Sequence, residues 1–338
     1  MNTKKLKCAS FFAGVGGIDM GFEQAGIFET VYANEVDEYP IKTYEANFNV
    51  KVDHRSIEDV KIDDLPEFDV MLAGWPCTDI SVAGLRKGFF DEEGNTTRSG
   101  LYMELVRIFS AKKPPIIFFE NVKNLVGHDD GNTFKIVMDT LTAAGYHFKY
   151  QVLNSMSYGN MAQNRERIYI VAFQDPELYQ HFEFPLPVER TITVKDIIDF
   201  DGEVDPKYYY TEGKYKGDLY DKLVAAMADE DPANPAVYQW RRKYVRQNKS
   251  GVVPTLTANQ GEGGHNVCLI KTTDGRIRKM TPHECFNTQG FPKDFVLPKS
   301  MSDGRLYKQA GNSVCVSVIS RIAECVKKAY LEVYGEGE

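Results

Sequence analysis

The sequence predicts an α/β protein: a doubly wound, mostly parallel sheet in a large domain, with a second, smaller domain following it. Three observations carry that expectation. Short β-rich apolar runs alternate with amphipathic stretches over residues 1–174, the composition shifts after residue 182, and helical periodicity returns over residues 312–334. With 338 residues, 43% hydrophobic and 26% charged, the chain is long enough for about two domains and is not compositionally disordered.

Taken in order, strands are expected over residues 6–12, 30–34, 69–73, 116–120, 147–154 and 167–173, each an apolar run of buried-strand length. Helices are expected over 18–24, stopped by Gly26, over 39–47, over 101–112, stopped by Pro114, and over 133–144, stopped by Gly145. The Pro-rich FEFPLPVER after Gln180 and His181 reads as a linker, and the acidic, Tyr-rich stretch 199–231 shows no clean alternation. The broad apolar face of 312–334 suggests that the chain returns to close the first domain. The expected division is therefore residues 1–185 with 304–338, and 186–303.

Several classes are excluded at this point. No apolar stretch approaches the ~18 residues needed to span a bilayer. The lysines before the first apolar run imitate a secretory leader, but Gly14, Gly16 and Gly17 break that run and Asp19 follows, so it reads as strand and turn. Six scattered cysteines (Cys8, Cys77, Cys268, Cys285, Cys315, Cys325) make neither a disulfide framework nor a CxxC metal pair. No metal is expected.

The formal net charge of −8 argues globally against a nucleic-acid partner. Locally the balance reverses: between residues 238 and 280, Arg241, Arg242, Lys243, Arg246, Lys249, Lys271, Arg276, Arg278 and Lys279 face only Glu262 and Asp274. Charge runs are most often solvated faces. Here the interleaved Tyr238, Trp240 and Tyr244, with the polar, Gly-rich TANQGEGGHN at 257–266, favour a surface that grips a phosphate backbone and reads base edges.

Four motifs carry chemistry. FAGVGG at 12–17 follows a strand and opens a helix, where glycines let a ligand approach the backbone. Glu35, in ANEVD at the end of the second strand, can accept hydrogen bonds from ribose hydroxyls, although a surface acid is an equal reading. Because the turn departs from GxGxxG, a nucleoside without a pyrophosphate fits better than a dinucleotide. AGWPCTDIS at 73–81 puts Cys77 at a strand's C-terminal end, where open sheets bind ligands; Arg86 and Lys87 downstream could favour its thiolate, and the glycine-rich stretch 78–100 reads as a lid. Glu120, in FFENV, follows four apolar residues, an environment that raises a carboxyl pKa and suits it to donate a proton. Arg165 and Arg167, in QNRER, are two apart and so expected on one face of a strand start, able to hold carboxylates, phosphates or carbonyl oxygens.

In the order FAGVGG, ANEVD, GWPC, ENV, QNRER, TPHECFNTQGFP and QAGNSV, the chain resembles the cytosine carbon-5 DNA methyltransferases over nearly its whole length. The resemblance implies a Rossmann-like domain that binds S-adenosyl-L-methionine (AdoMet), built from both ends of the chain, and a small target-recognition domain between them. It implies Cys77 as the nucleophile on carbon 6 of cytosine, Glu120 on ring nitrogen 3, Arg165 on the base carbonyl oxygen, and Arg167 in support. Phe12, Gly14, Gly16, Glu35, Val36, Ile57 and Pro76 would surround AdoMet, joined by Asn312 and Ser313. Ser81, Arg86, Lys87, Arg241, Arg242, Arg246, Thr257, Asn259, Gln260, Gly263 and Gly264 would contact double-stranded DNA, while Gln289, Gly290 and Pro292 would organise the recognition domain.

Four positions depart from the family's pattern: Thr78 for a common glutamine, Ser56 for an aspartate at the adenine, Ala162 for a proline and His283 for an arginine. The scattered cysteines imply a reducing cytoplasm, and the resemblance further implies a monomer in a bacterium or phage-infected cell, with a cognate restriction endonuclease as a functional partner. Its recognition segment, 238–266, is similar to those that read palindromes of roughly four to five base pairs. A tRNA cytosine methyltransferase is a weaker reading, since Cys285 and Phe286 are followed by Asn287 where that branch has threonine. A non-catalytic AdoMet- or DNA-binding regulator is another, and the glycine turn alone would admit a nicotinamide-dependent oxidoreductase.

Overall fold

The apolar runs fold as strands within one or two residues of their expected bounds, in a computed structural model that describes residues 5–76, 89, 99–215, 217–231, 233–241, 243–248, 250–260 and 267–335. In chain order the strands are β1 Leu6–Phe11, β2 Phe28–Asn34, β3 Val52–Asp53, β4 Val70–Ala73, β5 Ile116–Val122, β6 His147–Asn154, β7 Gln163–Asn164, β8 Glu166–Phe173, β9 Tyr209–Tyr210, β10 Tyr238–Trp240, β11 Val245–Gln247, β12 Val253–Pro254, β13 Cys268–Lys271 and β14 Ile277–Lys279. Two compact units result. The first comprises Met1–Asn154, Glu166–Leu186 and Val318–Glu338; the second comprises Ser155–Arg165 and Pro187–Ser317. This division differs from the compositional one in that 155–165 and 304–317 go with the second unit, for reasons of pairing given below.

The first unit is built on a seven-stranded sheet of order β3-β2-β1-β4-β5-β8-β6. Only β8 runs against its neighbours β5 and β6. The central strands VMLA and IIFFE are buried at every position, as strands covered on both faces must be. One core lies over Phe11, Met71, Ala73 and Phe119, filled by Leu105, Ile108 and Phe109 of the helix Tyr102–Lys112 and by Phe134, Val137 and Leu141 of the helix Asn132–Ala143. Their three- and four-residue spacing is the signature by which both helices were legible. Elsewhere Phe22 meets Phe28 and Phe118 edge-on, with ring centroids 5.1 and 5.0 Å apart. The last helix closes this unit: a side chain on Gly21 would lie 2.5 Å from Ile319, so only glycine lets the two helices approach.

Because the chain leaves β1 for β2 on one side and β4 lies on the other, β1 and β4 form a topological switch point, the crevice where open sheets bind ligands. Phe11 is in register with Asn34 and Ala73, and Ala73 with Phe119. Four motifs distant in sequence therefore begin on one line at the sheet's C-terminal edge.

Beneath that edge, Asp19 is fully buried on the helix Gly17–Gln24 and accepts hydrogen bonds from the Ser10 and Tyr44 hydroxyls, each 2.9 Å. Desolvation pushes its carboxyl up to about 6, against the downward pull of the two hydroxyls. The folded chain thus binds this proton more tightly than the unfolded chain, so stability falls as pH rises from about 4 to about 6, by roughly 3 kcal/mol. Urea denaturation at about pH 3.5 and about pH 7, which bracket that window, should show this loss in the wild type and not in Asp19→Asn.

The second unit contains a five-stranded antiparallel sheet of order β11-β10-β13-β14-β9 over a core of Tyr210, Leu223, Tyr238, Leu269 and Ile277. β7 joins this unit by pairing in parallel with β12. The helix Asp303–Asn312 joins it through Tyr307, whose hydroxyl donates to the Met280 carbonyl at 2.5 Å, and through the Gln289 amide, which donates to the Ala310 carbonyl at 2.8 Å. Arg278, with no exposed surface, grips both oxygens of Glu284 at 2.8 and 2.7 Å. Among the described residues no helix is long and apolar enough to cross a membrane, and no side-chain cluster could hold a metal ion.

Candidate active site

The turn after β1 leaves Phe12, Gly14 and Gly16 at φ values of 54°, 56° and 84°. At Gly16 a side chain is excluded as well by Phe48, 2.3 Å from where its Cβ would be, whereas the space beside Gly14 is open. A bulky residue such as Phe12 adopts positive φ only where its surroundings enforce it, which marks the turn as a functional candidate. Glu35 follows β2 on the same edge. One of its oxygens accepts from the Gly14 amide at 3.0 Å and the other from the Val36 and Asp37 amides, both at 2.9 Å. Burial pushes this carboxyl up and the three amides oppose it, leaving it raised. Val36, next along, is 66% exposed. An open glycine, a fixed carboxylate and an exposed apolar side chain thus form one cradle.

Ile57, expected beside the cofactor, is buried: its side chain packs in the cluster that contains Phe11, and its carbonyl accepts from Arg107 at 3.0 Å. It opens a single 3₁₀ turn, Ile57–Asp59, whose one apolar residue is turned inward.

After β4, Gly74 packs between Ile18 and Glu120; a Cβ there would lie 3.4 Å from the one and 3.5 Å from a carboxylate oxygen of the other. The neighbouring Trp75 carbonyl accepts from the buried Asn121 amide at 3.2 Å. The strand end that delivers half-buried Pro76 is therefore fixed to the residue next to the acid. Cys77 itself lies outside the described residues, as do Ser81, Arg86, Lys87 and nearly all of the expected lid, together with Arg242, Gly263 and Gly264.

Glu120 lies inside β5, which continues to Val122. Arg167 stands opposite Val122 on β8, one step diagonal from Glu120, and its Nε is 3.2 Å from the Glu120 carboxylate. Both side chains keep a margin of exposure, 15% and 10%. The expected single face for the two arginines does not form, because the strand is interrupted at Arg165, between β7 and β8. Arg165 is buried and directs its guanidinium to backbone carbonyls of the second unit: Leu256 at 3.1 Å, Gly311 at 3.2 Å and Ser313. The guanidinium that accompanies the acid is that of Arg167.

In the second unit, Lys243 and Arg246 are exposed and Arg241 is half-buried on the β10–β11 hairpin at the sheet's edge. The surplus of positive charge is smaller than the sequence suggests. Arg278 is neutralised by Glu284, and Arg276 pairs with Glu203 and Asp274, both at 2.6 Å. Thr257 is half-buried and Asn259 exposed, with the Thr257 hydroxyl donating to the Asn259 side chain at 2.8 Å. Gln260, expected at the DNA, is buried, its amide nitrogen 3.4 Å from the Tyr307 carbonyl. Asn312 is exposed at the end of its helix, and Ser313 is buried.

A family model described as C-5 cytosine-specific DNA methylase matches residues 6–328. The chain belongs to that family. Type II methyltransferase M.Bsp6I of Bacillus sp. (strain RFL6) is 55% identical over 326 residues, covering 96% of this chain and 100% of that protein. Type II methyltransferase M.HhaI of Haemophilus parahaemolyticus is 34% identical over 336 residues, covering 94% and 93%. Among solved structures, the Entamoeba histolytica methyltransferase EhMeth aligns with a TM-score of 0.73 at 19% identity over 98% of this chain and 99% of that one, a likeness of fold.

Asn121 and Gly74, which the motif reading did not single out, lie beside Glu120. Asn121 was visible inside ENV, but nothing in the pattern says that its amide reaches Trp75. The described cysteines are unsuited to attack: Cys8, Cys268, Cys285 and Cys315 are buried and Cys325 partly so. Desolvation pushes Cys268 up to about 12 and raises Cys8, Cys285 and Cys325 as well.

Proposed function

We propose that this DNA cytosine-5 methyltransferase acts on a cytosine extruded from a short duplex site, with Cys77 as nucleophile, Glu120 as acid and Arg167, in place of Arg165, holding the base carbonyl. One observation carries the reading: the glycine turn, Glu35, the GWP strand end and the Glu120–Arg167 pair share one edge of the sheet.

The target carbon belongs to an aromatic ring and is too weakly nucleophilic to take a methyl group unaided. Addition of the Cys77 thiolate to carbon 6, with a proton held at nitrogen 3 by Glu120, places electron density on carbon 5. Arg167 keeps the acid oriented and offers donors to the neighbouring carbonyl oxygen. Loss of the carbon-5 proton after transfer expels the cysteine. Stacking shields this carbon in a duplex, so the base must leave the helix, at a cost of a few kcal/mol.

AdoMet, when bound, supplies the methyl group on an electrophilic sulfonium. The cradle suits it: lone pairs of Glu35 left by the three amides can accept ribose hydroxyls, Gly14 leaves room for close approach, and Val36 offers an apolar surface to an adenine ring. Phe12, Gly16 and Pro76 shape the same edge; Asn312 and Ser313 are proposed as further cofactor contacts.

Arg241, Arg246, Thr257 and Asn259 are proposed to contact double-stranded DNA, and a cognate endonuclease is proposed as a functional partner. Bisulfite sequencing of a host expressing the chain should reveal protected cytosines at one short sequence. Complete conversion everywhere, with soluble protein present, would overturn the reading.

A further inference from the structure

Arg165 is a buried cation of the second unit that the proposed chemistry leaves unused. It is 3% exposed, and its two terminal nitrogens serve three backbone carbonyls on two separate segments. Gly311 and Ser313 terminate the helix Asp303–Asn312, whose final carbonyls have no partner within the helix and carry its negative dipole end. Leu256 belongs to the loop that follows β12 and carries Thr257 and Asn259. A buried cation thus satisfies a helix terminus and, with the same planar group, holds a loop against it. Lysine could not replace it, since one ammonium cannot present a fork to both segments.

Four further contacts fix the same loop. Its incoming strand β12 pairs with β7, and the Thr255 hydroxyl donates to the Asn164 carbonyl at 2.6 Å. The Gln260 amide turns back toward Tyr307 on the helix. Gly311 completes the joint: a Cβ there would lie 2.2 Å from the Thr257 carbonyl carbon and 2.5 Å from the Ala258 nitrogen, so the loop backbone rests directly on the helix. Within 255–260, the one residue left exposed is Asn259, and its side chain is oriented by Thr257.

We infer that Arg165 is a positioning residue for target discrimination, holding loop 255–260 against the end of the helix Asp303–Asn312 so that Asn259 meets a base edge in a fixed pose. The inference rests on the proposed reading of the second unit as the DNA reader. It assigns the two arginines of QNRER to different tasks: Arg167 to chemistry, Arg165 to recognition. A preorganised reader discriminates better than a mobile one, because a loose amide can adapt to a wrong base.

The test uses the full chain with AdoMet and duplexes carrying the site mapped by bisulfite sequencing, or that site with one base pair changed. In Arg165→Lys, the ratio of kcat/KM on the mapped site to that on changed sites should fall about tenfold, within the range that one misread base pair spans. KM for DNA should rise, with kcat on the mapped site within about threefold of wild type, since an interaction made equally in ground and transition states moves KM. Gly311→Ala, which keeps the guanidinium but displaces the loop, should shift discrimination the same way. Unchanged discrimination in both folded variants would overturn the inference, as would a collapse of kcat alone, or loss of folding in both, which would make Arg165 merely structural. If the wild type methylates no DNA, the failure lies with the proposed function instead.

Discussion

Cys77→Ser should lower methyl transfer by at least about 10³-fold, the scale on which loss of an acting nucleophile is felt, while AdoMet binding stays within about twofold of wild type. The two readouts separate because of where the groups sit. The cradle at Gly14, Glu35 and Val36 follows β1 and β2, whereas Cys77 belongs to the segment that follows β4 in sequence. A serine hydroxyl matches the thiol in shape but is far less ionised near neutral pH, so it fits and does not attack. The remaining cysteines are poor substitutes, since burial holds four of the described thiols above their ordinary range. Single-turnover transfer of a radiolabelled methyl group, alongside calorimetric titration with AdoMet, would read both quantities. Residual transfer near the wild-type rate would show that the covalent route is wrong.

Arg167→Met should lower kcat by about 10²-fold or more, the usual consequence of removing one preorganised donor from a site that excludes water. The variant loses a donor to the base and also leaves the Glu120 carboxylate without the guanidinium 3.2 Å away. KM for DNA should change little, because Arg167 lies on β8 and not on the reading hairpin or loop. Arg165→Lys should show the opposite split. Steady-state kinetics on one duplex with both variants therefore distinguish the assignment from one in which the arginines share a task; equal losses of kcat would refute it.

The different fates of these arginines show what the sequence could convey. Alternation by two is a statement about residues within one strand. At QNRER the strand breaks, β7 pairs with β12 from far along the chain, and the two side chains serve different units. No local pattern records that pairing. The same holds for Gln260: residue type and motif position placed it at the surface, while long-range packing put it inside. The charge surplus was overread because Glu203 and Glu284, which neutralise Arg276 and Arg278, lie outside the window that was counted. What was legible depended on periodicity and on strand ends. The strands of the large sheet other than β3, and the helices that flank them, follow from apolar spacing, and Glu35 and the GWP segment follow the ends of β2 and β4 as chain order suggested, whereas Glu120 falls inside β5, two residues short of its end. Their convergence needed the register, which aligns Phe11, Asn34, Ala73 and Phe119.

The most direct measurement uses a duplex in which the mapped cytosine carries fluorine at carbon 5. Once a thiolate has added to carbon 6 and the methyl group has been transferred, there is no proton at carbon 5 to lose, and the protein should stay attached to the DNA. Mass spectrometry of the digested product should place the nucleotide on the peptide containing Cys77, with none formed by Cys77→Ser. Efficient methylation of the ordinary duplex with no adduct on the fluorinated one, or an adduct on any other cysteine, would contradict the account.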